Sequence, residues 1–298
     1  MQLNSDIITT PPRASATVVL LRDDLQKGLQ VFLLRRHTAS AVSGGAFVFP
    51  GGKLDEADCS PEVHTYLDAS PPSLHQALGE VDLSEQTAAG LYVAAVREVL
   101  EECGVLYARS SQSQALAHDA NQREHWQRAL HGGQSFAEVL RCAELRIDTQ
   151  HLATWSRWIT PVQPSVSSRR FDTRFFVAVL PHGQHPIHDN IEAIDSIWLT
   201  PLEGLTRYWA GELPLAPPQI MTLASLLSHG CTQSVMNLAQ QQKPPLIFPE
   251  AFDDAGVRTL CYPGDPRHSV AQRAMPGPTR LRFVAGRFEP THGFEEFL

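Results

Sequence analysis

The chain opens on a polar, proline-containing stretch, residues 1–13, that reads as a loose leader, and then turns apolar. Ala16–Leu21 and Val31–Arg35 are runs of aliphatic and β-branched residues of strand type. Asp23, Asp24 and Gly28 between them carry turn chemistry, so the two strands read as a hairpin with a long loop. A third short apolar run, Ala46–Phe49, follows Val42-Ser43-Gly44-Gly45 and stops at Pro50-Gly51-Gly52. Residues 59–83 are polar and broken by Pro61, Pro71-Pro72 and Gly79, and they predict an inserted loop with room for one short helix.

Helical spacing takes over next. Val93, Val96, Leu100 and Cys103 recur on one face, Asp82 or Ser84 can cap the start, and Gly104 marks the stop. A second helical region is predicted from Gln112 to Leu145, divided at Gly132-Gly133, with Trp126 and Leu130 facing inward. Strands return at Trp155–Pro161, Phe171–Leu180 and Ile194–Leu199, and Pro218–His229 has the spacing of an amphipathic helix. After Pro244-Pro245 the pattern is loop-rich, with one late strand at residues 280–285. Strands and helices interspersed in this way predict an α+β architecture.

Composition narrows the function classes. The net charge of −8 gives no general basic field for nucleic acid. No segment is long and apolar enough to span a bilayer. Five scattered cysteines without C-x-x-C spacing argue against both a disulfide framework and a structural zinc site. Neither end resembles a signal peptide or a peroxisomal Ser-Lys-Leu address, so the expected setting is cytoplasmic. His182, His185 and His188 invite a metal reading, but Pro181, Gly183 and Pro186 break any helix that would align them.

The candidate chemistry lies at Arg97-Glu98-Val99-Leu100-Glu101-Glu102-Cys103-Gly104-Val105. On a helix, Glu98, Glu101 and Glu102 share a face, and like charges that close repel. A hard divalent cation reverses that judgement, because Mg²⁺ takes oxygen ligands and shares its shell with substrate phosphates. Arg97 beside them can hold a carboxylate by a bidentate pair.

With Pro50-Gly51-Gly52 and the acidic loop after it, this stretch resembles the Nudix box, G-x5-E-x7-R-E-U-x-E-E-x-G-U, where U is aliphatic. Gly52 matches the first glycine, and Asp58 stands where the first glutamate belongs. Arg97, Glu98, Val99, Glu101, Glu102, Gly104 and Val105 fill the second half. Residues 59–96 separate the halves where the pattern has seven positions, so the box is split. Loop-closure entropy grows slowly with length, and the site can survive the split. A split box, together with Arg157-Trp-Ile-Thr-Pro161 and the run 169–176, resembles the branch holding the peroxisomal coenzyme A diphosphatases.

The resemblance implies a Nudix fold, a mixed sheet sandwiched between helices, over residues 14–230. It leaves a helical insertion within the box at 59–83 and a C-terminal extension, 231–298, packed on the same domain. It further implies Mg²⁺ or Mn²⁺ held by Glu98, Glu101, Glu102, Asp58 and the Gly52 backbone. Arg97, Glu98 and Glu102 would be catalytic, with Glu192 an alternative base. Gly51, Arg35, Arg36, Arg169 and Arg170 are candidates for the substrate, a coenzyme A-like nucleotide carrying an extra phosphate. ADP-ribose or NADH are the alternative substrates, a non-catalytic nucleotide-binding module is the alternative class, and a homodimer is left open.

Overall fold

The computed structural model describes all residues except 1–2, 5, 38–43, 111–119 and 166–168. The expected approach through Val42-Ser43 and the Gln112 end of the second helical region lie outside the described residues. Strands β1 (Arg13–Asp24) and β2 (Gly28–Arg36) pair antiparallel, with Asp24 opposite Gly28. The expected long loop is thus a tight turn at residues 25–27. Asp23 and Asp24 belong to the strand, and the Asp24 carboxylate accepts the Gln26 and Lys27 N–H groups to close the turn.

Next come β3 (Phe47–Val48), β4 (Gly51–Lys53), α1 (Pro61–His64), α2 (Pro71–Leu78) and α3 (Glu85–Cys103). After them run β5 (Ala108–Ser110), α4 (Ala120–His131), α5 (Phe136–Cys142), β6 (Leu145–Ile147), β7 (Leu152–Ile159), β8 (Phe171–Val179) and β9 (Ala193–Leu199). The chain ends with α6 (Pro201–Trp209), α7 (Pro217–Leu226), α8 (Thr232–Gln241), β10 (Leu246–Ile247), β11 (Glu250–Asp254), β12 (Val257–Cys261), β13 (Arg280–Val284) and β14 (Arg287–Pro290).

The main sheet has the order β10-β7-β8-β1-β2-β3, with β4 added to β1 and β9 to β2. It is mixed: β1–β8 and β7–β10 run parallel, the other pairs antiparallel. Side chains alternate across it with a period of two. Val18, Leu20, Phe32 and Leu34 face α3 and the insertion, while Val19, Leu21, Val31 and Leu33 face α6–α8 and the tail. This is the expected α+β architecture, with helices layered on both sides of one mixed sheet.

Helix α3 is the spine of the first layer. Ser84, not Asp82, caps it, accepting the Thr87 N–H at 3.1 Å, and Gly104 ends it at φ +66°. The insertion carries α1 and α2, each started by a serine cap and proline, so it is more helical than its prolines predicted. It is lashed down along its length. Asp68 accepts from Thr149 and Gln150, and Glu80 meets Arg157 and Arg174.

The tail departs most from expectation. Its predicted loops form a four-stranded antiparallel sheet, β11-β12-β13-β14. Two hairpins turn at Ala255-Gly256 and Ala285-Gly286, each with both residues at positive φ (+48°/+80° and +48°/+85°). Such turns are normally announced by Asn-Gly or Asp-Gly, and alanine hides them. Leu260, Tyr262, Leu281, Phe288 and Phe297 from this sheet enter the same core as Val19 and Leu33.

Candidate functional site

Arg97 is the hub of the box. Its five N–H donors are all committed: Nε and Nη2 to the two oxygens of Asp58 (both 2.9 Å), Nη1 to Glu98 and Glu101 (both 2.9 Å), and Nη2 to the Lys53 carbonyl (3.2 Å). The bidentate partner is therefore Asp58, across the whole insertion, rather than a helix neighbour. Asp58 is 2% exposed and its Oδ2 also accepts the Asp55 N–H at 2.9 Å. Both oxygens of this expected metal ligand are engaged by the Arg97 guanidinium. The shorter acid suffices because a short 3₁₀ turn, Glu56–Cys59, brings its backbone up to the helix.

Strand β4 meets α3 at the glutamates. The Gly51 N–H donates to Glu102 Oε2 at 2.8 Å, and a Cβ on Gly52 would stand 2.3 Å from Glu98 Oε1. Only glycine lets this strand lie so close to two carboxylates. Gly51 has φ +151° and a Cβ there would meet the Ala16 carbonyl at 2.3 Å, a second reason for glycine.

Burial without enough positive charge dominates the electrostatics. Desolvation, opposed by Arg97 and reinforced by Glu101, pushes the Glu98 carboxyl up to about 7. Burial and the neighbouring Glu98 charge put Glu102 well above the usual carboxylate range, and burial raises Glu101 as well. On Arg97, burial opposes the charge, yet Asp58, Glu98 and Glu101 outweigh it and the guanidinium is held more firmly protonated. Among the described residues no three His, Cys, Asp or Glu side chains are already drawn into a metal cage. The donor set still suits a hard divalent cation: three carboxylates within one helical turn, raised chiefly by burial, against a glycine backbone that admits close approach.

A cavity of about 490 Å³ opens beside the box. Glu98, Gly51, Gly52 and Lys53 form one end, and Arg36 and Glu192 flank it, their side chains 3.7 Å apart. Of the four arginines expected at the substrate, Arg36 and Arg169 line the cavity. Arg35 does not. It alternates to the opposite sheet face from Arg36, its guanidinium 5.8 Å from the centre of the Phe47 ring. Arg170 is also misassigned, because it is buried and donates to the Thr160 and Thr10 carbonyls. Sequence reading missed Arg13 and Lys53, which line the cavity, and Pro249 and Leu260 from the tail. Arg13 was hidden in the supposed leader, although the apolar alternation already begins at Ala14.

A second cluster joins the remaining motif residues. Arg157 grips Asp172 through Nε and Nη2 (both 2.8 Å), and Arg174 grips Glu80 at 2.9 and 2.5 Å. Cross-pairs Arg157–Glu80 (2.9 Å) and Arg174–Asp172 (3.1 Å) close the square. The hydrogen bonds that Arg157 donates to Asp172 lead in holding its guanidinium protonated.

Comparison with known proteins agrees with this geometry. The NUDT19 Nudix domain family matches residues 9–226. The chain is 28% identical over 226 residues to the acyl-coenzyme A diphosphatase NUDT19 of Xenopus laevis, covering 66% of this chain and 59% of that protein. It is 27% identical over 240 residues to the Gallus gallus protein of the same name, covering 70% and 62%. The matches thus span about three-fifths of the length of these relatives. A crystal structure of a NUDIX hydrolase from Alicyclobacillus acidocaldarius superposes with a TM-score of 0.62 at 27% identity, covering 77% of this chain and 97% of the other.

Proposed function

The chain belongs to the Nudix hydrolases, in the NUDT19 Nudix domain family, and from that premise we propose that it hydrolyses the diphosphate of coenzyme A or its acyl esters. The products would be 3′,5′-ADP and (acyl) 4′-phosphopantetheine. One observation carries this reading: Glu98 of the box opens into a cavity whose other lining is both basic and apolar. Arg13, Arg36, Lys53 and Arg169 suit a substrate with phosphates beyond the scissile pair, as a ribose 3′-phosphate is. The names of the relatives support the same substrate class.

Glu98, Glu101, Glu102 and the Gly52 carbonyl would hold Mg²⁺ or Mn²⁺, which when bound neutralises the diphosphate and lowers the pKa of a coordinated water. The remaining tasks fall to the chain. Arg97 takes one oxygen each from Glu98 and Glu101 and so fixes where these carboxylates point. The Gly51 N–H does the same for Glu102. Glu98 and Glu192 line the cavity whereas Glu102 lies behind it, so the proton of the attacking water goes to one of the two. No side-chain nucleophile is needed, because phosphoryl transfer depends on positioning and charge neutralisation. Among the described residues no helix is long and apolar enough to cross a membrane.

The test is chromatography or ³¹P NMR of products from coenzyme A, acyl-coenzyme A, ADP-ribose and NADH side by side, with Mg²⁺ or Mn²⁺. Selective cleavage of the coenzyme A series is expected. Faster turnover of ADP-ribose or NADH would reassign the substrate. Nucleotide binding without product from any of the four would make the chain a binding module.

A further inference from the structure

The cavity has a second chemistry that the diphosphate does not use. Part of its lining is apolar and comes from three separate parts of the chain: Trp158 and Phe175 from the main sheet, Pro217 and Pro218 at the start of α7, and Leu260 of β12 with Pro249 just ahead of β11. Leu260 sits in β12 between β11 and β13, which fix its backbone through ladders on both sides. Trp158 is equally constrained. Its ring centre lies 6.2 Å from Phe175 and 6.0 Å from Tyr262, and its Nε1 donates to Ser156 at 3.1 Å. The one polar atom of that indole is thereby satisfied, and the rest of the ring is an apolar surface.

A buried apolar wall in the same cavity as a phosphate site fits an apolar substituent carried by the same substrate. Leu260 and Pro249 also lie outside residues 9–226, the span shared with the NUDT19 Nudix domain family. The family match therefore says nothing about these two residues, and the tail's contribution is read from this chain.

The geometry points to the C-terminal sheet as part of the substrate site: Leu260, with Pro249, forms the wall against which the acyl chain of a thioester substrate rests, and limits how long that chain can be. This rests on the diphosphatase reading above and assigns the tail a role in specificity. The hydrophobic gain per methylene ends where the chain meets Leu260, so enlarging or trimming that side chain moves the limit.

The experiment uses the full chain and two readouts. Dissociation constants for coenzyme A, acetyl-coenzyme A and dodecanoyl-coenzyme A are measured calorimetrically in EDTA, without turnover, and kcat/KM for the same three with Mg²⁺. In Leu260→Trp the dodecanoyl-to-coenzyme A ratio should fall at least about tenfold in both readouts. In Leu260→Ala it should rise in favour of the longer chain, and Leu260→Met should keep the parent ratio. Should the tryptophan variant not fold, the alanine variant still reads the wall. A ratio unmoved in both, or an equal loss for all three ligands, overturns the inference while leaving the diphosphatase reading intact. If the unaltered protein neither binds nor cleaves coenzyme A, both fall together.

Discussion

Two arginine–carboxylate clusters lash the ends of the insertion, and their stoichiometry separates them. At the start, one guanidinium, Arg97, contacts Asp58, Glu98 and Glu101, with Glu102 close behind. At the end, two guanidinia, Arg157 and Arg174, meet two carboxylates, Glu80 and Asp172. The second is a closed square whose charges cancel. The first has surplus negative charge in a buried place, and its glutamates answer by holding their protons. Buried charge left uncompensated is a cost that selection for stability alone removes. The imbalance is what the proposed cation would relieve, and the balance marks the brace.

The largest effect should come from the unbalanced cluster and should appear in rate rather than stability. Glu98→Gln or Glu102→Gln keeps the shape and removes one charge. Turnover of coenzyme A with Mg²⁺ is expected to fall by about 10²–10⁴-fold, while the melting temperature in EDTA holds or rises. A rate that stays within a few-fold of the parent would sink the assignment of these carboxylates.

The balanced cluster should answer the other way. Glu80→Ala leaves the buried Arg174 and the half-buried Arg157 short of a partner, and breaking a buried pair such as Arg174–Glu80 costs about 3–5 kcal/mol. Urea unfolding should show that loss, with kcat per folded molecule within a few-fold of the parent. Equal damage to kcat would mean that the brace also shapes the cavity.

The pH dependence of the metal-free protein sharpens the contrast further. A carboxyl whose folded pKa exceeds its unfolded value keeps its proton longer in the fold. Its contribution to stability is complete below about 4.5 and lost as pH rises through the folded value, about 7 for Glu98. In EDTA, stability should thus decline by about 2 kcal/mol between pH 5 and pH 8, and added Mg²⁺ should restore more of it at pH 8 than at pH 5. A metal-free protein that gains stability over that window would contradict the surplus-charge account.

These two clusters also show what a sequence carries. The second half of the box was legible because its residues are neighbours on one helix, where spacing alone decides which side chains share a face. The partner of Arg97 was not, since Asp58 reaches it only after the insertion has folded back. The same holds for Glu80, which sits in a stretch that reads as loop and finds Arg174 on β8. Helix α6 was announced by a capping box, Thr200 with Glu203 and Pro201 between, that went unread. Of the four strands in the C-terminal sheet β13 was read, at residues 280–285, and the others were hidden by Ala-Gly turns, which carry no local signature.

The smallest predicted effect isolates a single step of strand register. Arg35 and Arg36 are chemically identical neighbours at the end of β2, and sequence reading placed both at the substrate. The pleat sends them to opposite faces: Arg36 to the cavity with Glu192 and Glu98, Arg35 toward Phe47. Arg36→Gln should raise KM for coenzyme A several-fold with kcat little changed, as loss of one partly exposed charge contact is worth about 1 kcal/mol. Arg35→Gln should leave KM as it is, because that guanidinium does not line the cavity. Equal KM changes would mean that the substrate reaches around the sheet edge, and the one-residue alternation that separates the two arginines would lose its functional meaning.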